Sequence, residues 1–286
     1  MSSNIVLGLA TRQNLLSLTQ INQNIGTSQS HLATGLKVAS ALDDAVKFFQ
    51  SQGLLNRAND ISQRKDTIDQ GISSLTTATN ASQSVVSILQ QLQGILNSAK
   101  TQTAAQRAAA ATQFNTLSKQ LNNLVNDASY QGLNLVNSTT SVLTLQFSQS
   151  STSKLKINGF NELVSKLVTT HAAATVLATA IVGKSFSTVS NATSKFDAAF
   201  NTLQNAIFQA QADAQALGTN VTFLQTRLDF SSQYIATLQG GSDKLVVADV
   251  NQESTNLVTL QTRQQLAIQS LSIATQSEQA VLRLFH

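Results

Sequence analysis

The chain contains no proline in 286 residues. Average usage of about 5% would supply roughly 14 prolines in a chain of this length, and a proline inside a helix breaks or kinks it. The sequence can therefore sustain unusually long α-helices. Cysteine is absent as well, which excludes disulfides, thiolate metal ligands and cysteine nucleophiles.

Charge is scarce and evenly spread. Only 11% of the residues are charged, and the net charge of +4 includes no block of Lys and Arg, so the clustered basic face of a nucleic-acid-binding protein is missing. Residues 257–286 carry only Arg263, Glu278 and Arg283 as firm charges. A solvated helix face normally carries many Lys and Glu side chains. We therefore expect this end of the chain to be enclosed by other protein subunits.

Helical spacing dominates both halves of the sequence. A first amphipathic tract is predicted from about Asn14 to Gly35, a second runs from Ile61 to Leu96 at alternating steps of three and four, and residues 114–124 can fold back on it as an antiparallel neighbour. These patterns are typical of coiled coils. The predicted assembly residues of the first tract are Leu15, Leu18, Ile21, Ile25 and Leu32.

The second half repeats the pattern. The tract from Phe196 to Leu238 keeps the same rhythm, the pair Gly240 and Gly241 is predicted to break it, and a last tract starts near Leu245. That tract carries one apolar stripe and a second stripe through Leu266 and Ile273, which indicates burial on more than one side. The predicted assembly residues of the first stripe are Leu257, Leu260, Ala267, Leu271, Ala274, Val281 and Phe285.

The middle of the chain changes period. Leu143, Leu145 and Phe147 alternate with polar residues, as do Leu155 and Ile157, which predicts a small β-hairpin. Residues 136–187 are interpreted as a variable region, in which residues 171–183 remain ambiguous. The predicted fold is mainly α: a long coiled-coil-like helical hairpin built from both chain ends, with a small β-hairpin and a short variable lobe in the middle.

Candidate chemistry is sparse. The three histidines, His31, His171 and His286, have no carboxylate at metal-ligand spacing, and no phosphate-binding Gly-rich loop is present. Asp43 and Asp44 follow Ser40 at the spacing of a capping box, which favours a helix N-terminus over a catalytic pair. We expect no enzyme activity and no cofactor. No apolar run is long enough for a membrane span, and we expect no cleavable signal peptide.

Residues 31–45, His-Leu-Ala-Thr-Gly-Leu-Lys-Val-Ala-Ser-Ala-Leu-Asp-Asp-Ala, resemble the N-terminal signature of bacterial flagellin. Residues 69–73 and 130–135 are similar to two further motifs of that family, and residues 257–285 look most like its alphaproteobacterial type. The matches occur in the right order and together span about two thirds of the chain. The signature residues are Gly35, Ser40, Ala41, Asp43, Asp44 and Ala45.

The resemblance implies a filament subunit for swimming motility, outside the cell in the bacterial flagellum. Residues 1–40 and 241–286 would form inner-tube helices, residues 41–135 and 188–240 the two halves of an outer-tube helical domain, and residues 136–187 a β-hairpin and surface region. The implied partners are further copies of the chain in a helical filament, related flagellins, an export chaperone and the type III flagellar export apparatus, and hook-associated and cap proteins. Nucleic acid and membrane insertion are not expected.

Three departures from the family pattern stand out. His31 replaces an Arg, which makes any salt bridge there absent or pH-dependent, and residues 45–49 place bulk where the family has small residues. At the positions that the animal innate flagellin receptor recognises, the charged residues are replaced. The altered positions are Gln91, Gln93, Gly94 and Ile95.

Two other classes stay open at this point. A hook-filament junction protein shares similar chain ends but would not form long filaments by itself. A coiled-coil signalling domain also has long Ala- and Gln-rich heptads, but the sequence lacks a membrane span and a symmetric hairpin tip.

Overall fold

The computed structural model describes residues 9–149, 152–169 and 192–284. It is mainly α with a small antiparallel β-hairpin, which confirms the predicted fold class. The helices are α1 (Leu9–Thr34), α2 (Ala45–Ala99), α3 (Ala104–Asp127), α4 (Val164–Thr169), α5 (Ala192–Val246) and α6 (Val250–Leu284). The strands are β1 (Ser129–Tyr130), β2 (Leu133–Asn134), β3 (Val142–Gln146) and β4 (Lys154–Asn158).

The chain divides into two compact units. Unit 1 contains Met1–Ala58 and Ala236–His286, and unit 2 contains Asn59–Ile235. The boundaries fall within α2 and α5. The division of the sequence into inner-tube and outer-tube segments refers to an assembly and stays a prediction.

Unit 2 holds the large apolar core. Apolar residues of α2, α3 and α5 are buried there together. On α2 the predicted heptad positions are only partly confirmed: Ile68, Leu75 and Leu89 are buried, but Ile72 and Val86 are half-buried, and the neighbouring Val85 and Leu92 are buried instead. The predicted fold-back of residues 114–124 is part of α3. The largest fully buried side chains are Ile68, Leu75, Leu89, Leu92, Leu96, Phe114, Leu121, Leu135, Leu203, Leu217 and Leu224.

The predicted β-hairpin is confirmed as β3 paired with β4. Leu143 lies opposite Ile157, and Leu145 lies opposite Leu155. Leu145 is buried and packs so closely on Gly71 of α2 that an added Cβ there would lie 2.6 Å from Leu145 Cδ1. The absence of a side chain at position 71 therefore lets the hairpin pack on the helix.

A second hairpin, β1 with β2, was not predicted. Its two turn residues, Gln131 and Gly132, have φ angles of 50° and 82°. Positive φ at both central positions is typical of the tight turn that matches the twist of paired strands. The motif at residues 130–135 is therefore a structural turn.

In unit 1 the segment that follows α1 pairs through backbone hydrogen bonds with the segment between α5 and α6. Gly35, with φ of 71°, ends α1 in the left-handed conformation that favours glycine. Beyond it, the backbone N–H groups of Lys37 and Val38 donate to the carbonyl of Val246, and Ala248 N–H donates to the carbonyl of Gly35. These bonds fix where α1 enters its pairing with α6.

The predicted helix break at Gly240 and Gly241 is wrong. Helix α5 continues to Val246, because two glycines cost a helix only about 1 kcal/mol each. Ser242 lies inside this helix and is buried, and its hydroxyl lies 2.7 Å from that of Ser51 on α2. Asp249 is the residue that caps α6, since its Oδ1 accepts hydrogen bonds from the N–H groups of residues 251 and 252.

The predicted start of the first helix is also too late. Helix α1 already includes Leu9, the first described residue, rather than beginning near Asn14. Within the variable region, the short helix α4 begins at Val164. The ambiguous residues 171–183 lie outside the described residues.

Candidate assembly interface

Helices α1 and α6 pair along one continuous heptad stripe on each helix. At every position of both stripes the residue is buried or half-buried, and the intervals alternate between three and four residues. The stripe of α1 consists of Thr11, Asn14, Leu18, Ile21, Ile25, Ser28 and Leu32, and that of α6 consists of Glu253, Leu257, Leu260, Gln264, Ala267, Leu271 and Ala274. We call these two stripes together the terminal seam.

Most of the predicted assembly residues therefore lie in the terminal seam, within one molecule. Leu15 is the exception on α1, because it stays 47% exposed. Val281 lies near the C-terminal end of α6, and Phe285 lies outside the described residues. A role of the seam residues in contacts between subunits stays a prediction.

Polar bonds fix the antiparallel direction of the seam. Asn14 Nδ2 donates to Ser270 Oγ at 3.4 Å, and Gln264 Nε2 donates to Asn22 Oδ1 at 2.6 Å. At the other end, Ser28 Oγ donates to Glu253 Oε2 at 2.9 Å. Neutral groups make most of these bonds, so the helices pair with little charge to desolvate.

His31 and Glu253 form the ion pair of the seam. His31 Nδ1 lies 3.2 Å from Glu253 Oε1, and both side chains are largely buried. Burial acts to raise the pKa of Glu253, but hydrogen bonds from Ser28 and His31, together with the charges of His31 and Lys37, lower it overall. The pair is fully charged only when His31 is protonated, as expected for a His in place of Arg. Sequence reasoning did not find Glu253, because it lies 222 residues away.

The seam covers only one side of the helix pair. Among the described side chains, no large apolar residue of α1 or α6 is fully buried. On α6, Val258, Leu266 and Ile273 are 63%, 65% and 59% exposed, and at 100° per residue they lie on the side opposite the seam. On α1, Leu9 and Leu16 are also exposed. We call Val258, Leu266 and Ile273 the outer stripe of α6; they are apolar and uncovered in the single chain.

The signature residues after α1 form a turn and a helix cap. Asp43 Oδ2 accepts hydrogen bonds from the N–H groups of Ala39 and Ser40 and from Ser40 Oγ, at 2.8 to 3.1 Å. Hydrogen bonding, chiefly from the backbone of Ser40, lowers the pKa of Asp43. Asp44 Oδ1 accepts from Lys47 N–H at 3.0 Å and caps α2, and that bond lowers the pKa of Asp44. Asp44 thus fills the expected role at a helix N-terminus, whereas Asp43 closes the preceding turn.

The bulky residues of the signature region are exposed. Leu42, Val46 and Phe49 are 97%, 66% and 65% exposed, and Phe48 packs edge-to-face on Phe49 with ring centroids 5.5 Å apart. The expected unusual bulk is therefore present on the surface of unit 1.

The four altered receptor positions lie on α2 in unit 2. Gln91, Gly94 and Ile95 line an open groove between α2 and α3, and Gln93 Nε2 donates to Gln204 Oε1 on α5 at 2.7 Å. The groove is lined by neutral side chains. The structure therefore places three of the four positions in one groove and Gln93 against α5, and their recognition by a receptor stays a prediction.

The described residues contain neither a candidate metal site nor a candidate membrane-spanning helix. No group of three or more His, Asp or Glu side chains in them is arranged to hold a metal ion. None of the helices in this part of the chain combines the length and apolar character needed to cross a membrane.

Comparisons with known proteins agree on one family. The sequence profile described as the bacterial flagellin N-terminal helical region matches residues 5–141. Flagellin FljO of Caulobacter vibrioides is 26% identical over 279 residues, which is 95% of this chain and 94% of that protein. A flagellin of Brucella melitensis is 27% identical over 275 residues, which is 95% of both chains.

A solved structure shares the fold. It is a Vibrio parahaemolyticus protein described as flagellar hook-associated, with a TM-score of 0.61 and 13% identity, and the match covers 72% of this chain and all of that one. At this level of identity the likeness concerns the fold alone.

Proposed function

Because this chain belongs to the bacterial flagellin family, we propose that it is a structural subunit that self-assembles into the flagellar filament for swimming motility. The outer stripe of α6 is the observation that carries this function. It presents Val258, Leu266 and Ile273 to solvent in the single chain, on a helix that carries few charges. Its role is mechanical, and the chain acts without catalysis.

Assembly supplies the burial that the helix pair lacks. The terminal seam covers one side of α1 and α6, and neighbouring subunits cover the outer stripe. Neutral Gln, Ser and Thr side chains cost less to desolvate than charges when subunits dock. A contact between unlike surfaces that does not close into a ring continues as a helical filament.

The limited burial within the pair of α1 and α6 also suits export of the chain from the cell. Two helices in which none of the described large apolar side chains is fully buried gain little from pairing, so they offset the entropy of ordering only narrowly. We propose that the chain leaves the cell through the type III flagellar export apparatus with its chaperone. Outside, it assembles with its own copies, related flagellins, and hook-associated and cap proteins.

The test removes most of α6. The full chain and a variant that ends before Leu257 are induced to polymerise with salt and imaged by negative-stain electron microscopy. We expect filaments from the full chain only, while the truncated variant keeps the unfolding transition of unit 2, which lies outside the deletion. Filaments from the truncated variant would refute the proposal. Short, non-extending oligomers from the full chain would instead support the hook-filament junction role.

The groove between α2 and α3 contains positions that concern recognition by the animal innate flagellin receptor. Gln91, Gln93 and Gly94 offer no charge to a receptor at positions where the family has charged partners, and charged hot-spot residues carry much of the affinity of such contacts. We propose weak activation of the animal innate flagellin receptor. A full-strength response to purified monomer in a reporter assay would contradict this.

A further inference from the structure

A short connection in unit 2, residues 159–164, links β4 to α4, and we call it the return segment. Its backbone is bonded to the preceding loop: Phe160 N–H donates to Leu135 O at 2.7 Å, and Glu162 N–H donates to Val136 O at 2.8 Å. Its end is held by α3, where Asn122 Oδ1 accepts from Val164 N–H at 3.0 Å. The segment is therefore fixed to the core by a few identifiable bonds.

Glu162 is the buried acid of this segment. Its side chain is 0% exposed. Ser82 Oγ on α2 donates to Glu162 Oε1 at 2.7 Å, whereas Oε2 is buried without a hydrogen-bond partner among the described residues. A carboxylate with one donor in an apolar core costs several kcal/mol more than the neutral acid. The geometry therefore fits a carboxyl group that keeps its proton.

Among the described residues, the charge that acts on the Glu162 carboxyl is that of another acid, Asp213 on α5. Asp213 is 6% exposed and accepts a hydrogen bond from Gln209 Nε2 at 2.8 Å. Helix α2 presents the hydroxyl of Ser82 to the carboxyl, whereas Asn122 of α3 accepts from the backbone N–H of Val164. Burial first, and the charge of Asp213 in addition, raise the pKa of Glu162 to about 8.

We propose that Glu162 is a proton-operated latch whose neutral carboxyl holds the return segment on α2 and whose deprotonation releases it. When the segment opens, Glu162 meets water, gives its proton to solvent and remains ionised there. The latch concerns unit 2 of the single chain and does not depend on filament formation.

The direction in which pH changes the opening of the return segment follows from proton linkage. Glu162 binds its proton more tightly when the segment is closed than when it is open. Its contribution is therefore fully present below pH 4.5, the ordinary pKa of a solvated Glu side chain, and is lost as pH rises to about 8. Within that window the opening equilibrium should grow about tenfold per pH unit, and above it the dependence should level off.

The experiment measures amide hydrogen exchange of the return segment in the full-length monomer between about pH 5 and pH 9, corrected for the intrinsic exchange rate. We expect its protection to fall about 100-fold over two pH units inside the window. The variant Glu162→Gln should remove this slope. Asp69→Asn, which changes an exposed acid of the same unit, should keep it. An unchanged slope in Glu162→Gln, or a flat profile in the natural chain, would overturn the proposal.

A second measurement covers the case in which Glu162→Gln does not fold. The natural chain should show the infrared C=O absorption of a protonated carboxyl at neutral pH, and that band should disappear near pH 8. The absence of a protonated carboxyl at pH 6 would equally overturn the latch.

Discussion

Replacing Leu266 by Ser on the outer stripe of α6 should weaken polymerisation while leaving the single chain folded. Full burial of a Leu side chain contributes about 1.5–3 kcal/mol. Leu266 remains 65% exposed in the single chain, so a neighbouring subunit that covers it can gain up to about 1–2 kcal/mol. A loss of that size should raise the critical concentration for assembly about 5- to 30-fold, because about 1.4 kcal/mol is a factor of ten.

The assay is sedimentation of polymer from a concentration series of the full-length chain. Gln269→Ser is the matched control: it also places Ser on the exposed side of α6 but removes no apolar stripe residue, so its critical concentration should stay near that of the natural chain. Leu257→Ser, within the terminal seam, should in addition destabilise unit 1. An unchanged critical concentration for Leu266→Ser would show that neighbouring subunits leave the outer stripe uncovered.

Two further predictions concern single residues. Gly71→Ala should be about 1–3 kcal/mol less stable than Gly94→Ala in denaturant unfolding, because a Cβ at position 71 would lie 2.6 Å from the buried Leu145 whereas position 94 is open. Equal stability of the two variants would refute the close packing. The pKa of Glu253 is lowered in the folded chain, so its stabilisation is present above pH 4.5 and is lost as pH falls through the folded pKa. In Glu253→Gln the loss of stability at acid pH should disappear, which hydrogen exchange of α6 can measure. If the loss persists in this variant, another group causes it.

Local periodicity predicted the long elements well. The helical tracts of α2 and α5 and the alternation around Leu145 were predicted correctly, because burial repeats with the period of each secondary structure. On α2 one of the two heptad positions was misplaced by one residue, since Val85 and Leu92 are buried rather than Val86 and Gln93. The break at Gly240 was misplaced, because a glycine's preference is worth about 1 kcal/mol and tertiary packing overrides it. Ser242 has a buried partner in Ser51, far away in sequence.

The pairwise chemistry could not be predicted from the sequence. His31 was singled out only as a replacement of Arg, and its partner Glu253 is identified only when α1 and α6 are aligned in register. Glu162 gave no signal at all, since an isolated acid after a strand is ordinarily solvated. The raised pKa of Glu162 arises because the return segment, α2 and α5 lie close together in unit 2. No spacing in the sequence connects these three elements.

The terminal seam also sets a time order for folding. Its bonds join residues separated by 222 to 256 positions, so α1 leaves the ribosome long before any of its partners exists. Contacts this distant carry a high loop-closure entropy and form late. Helix α1 therefore lacks these partners while the residues between them are synthesised, and in that interval its seam face is available to other proteins.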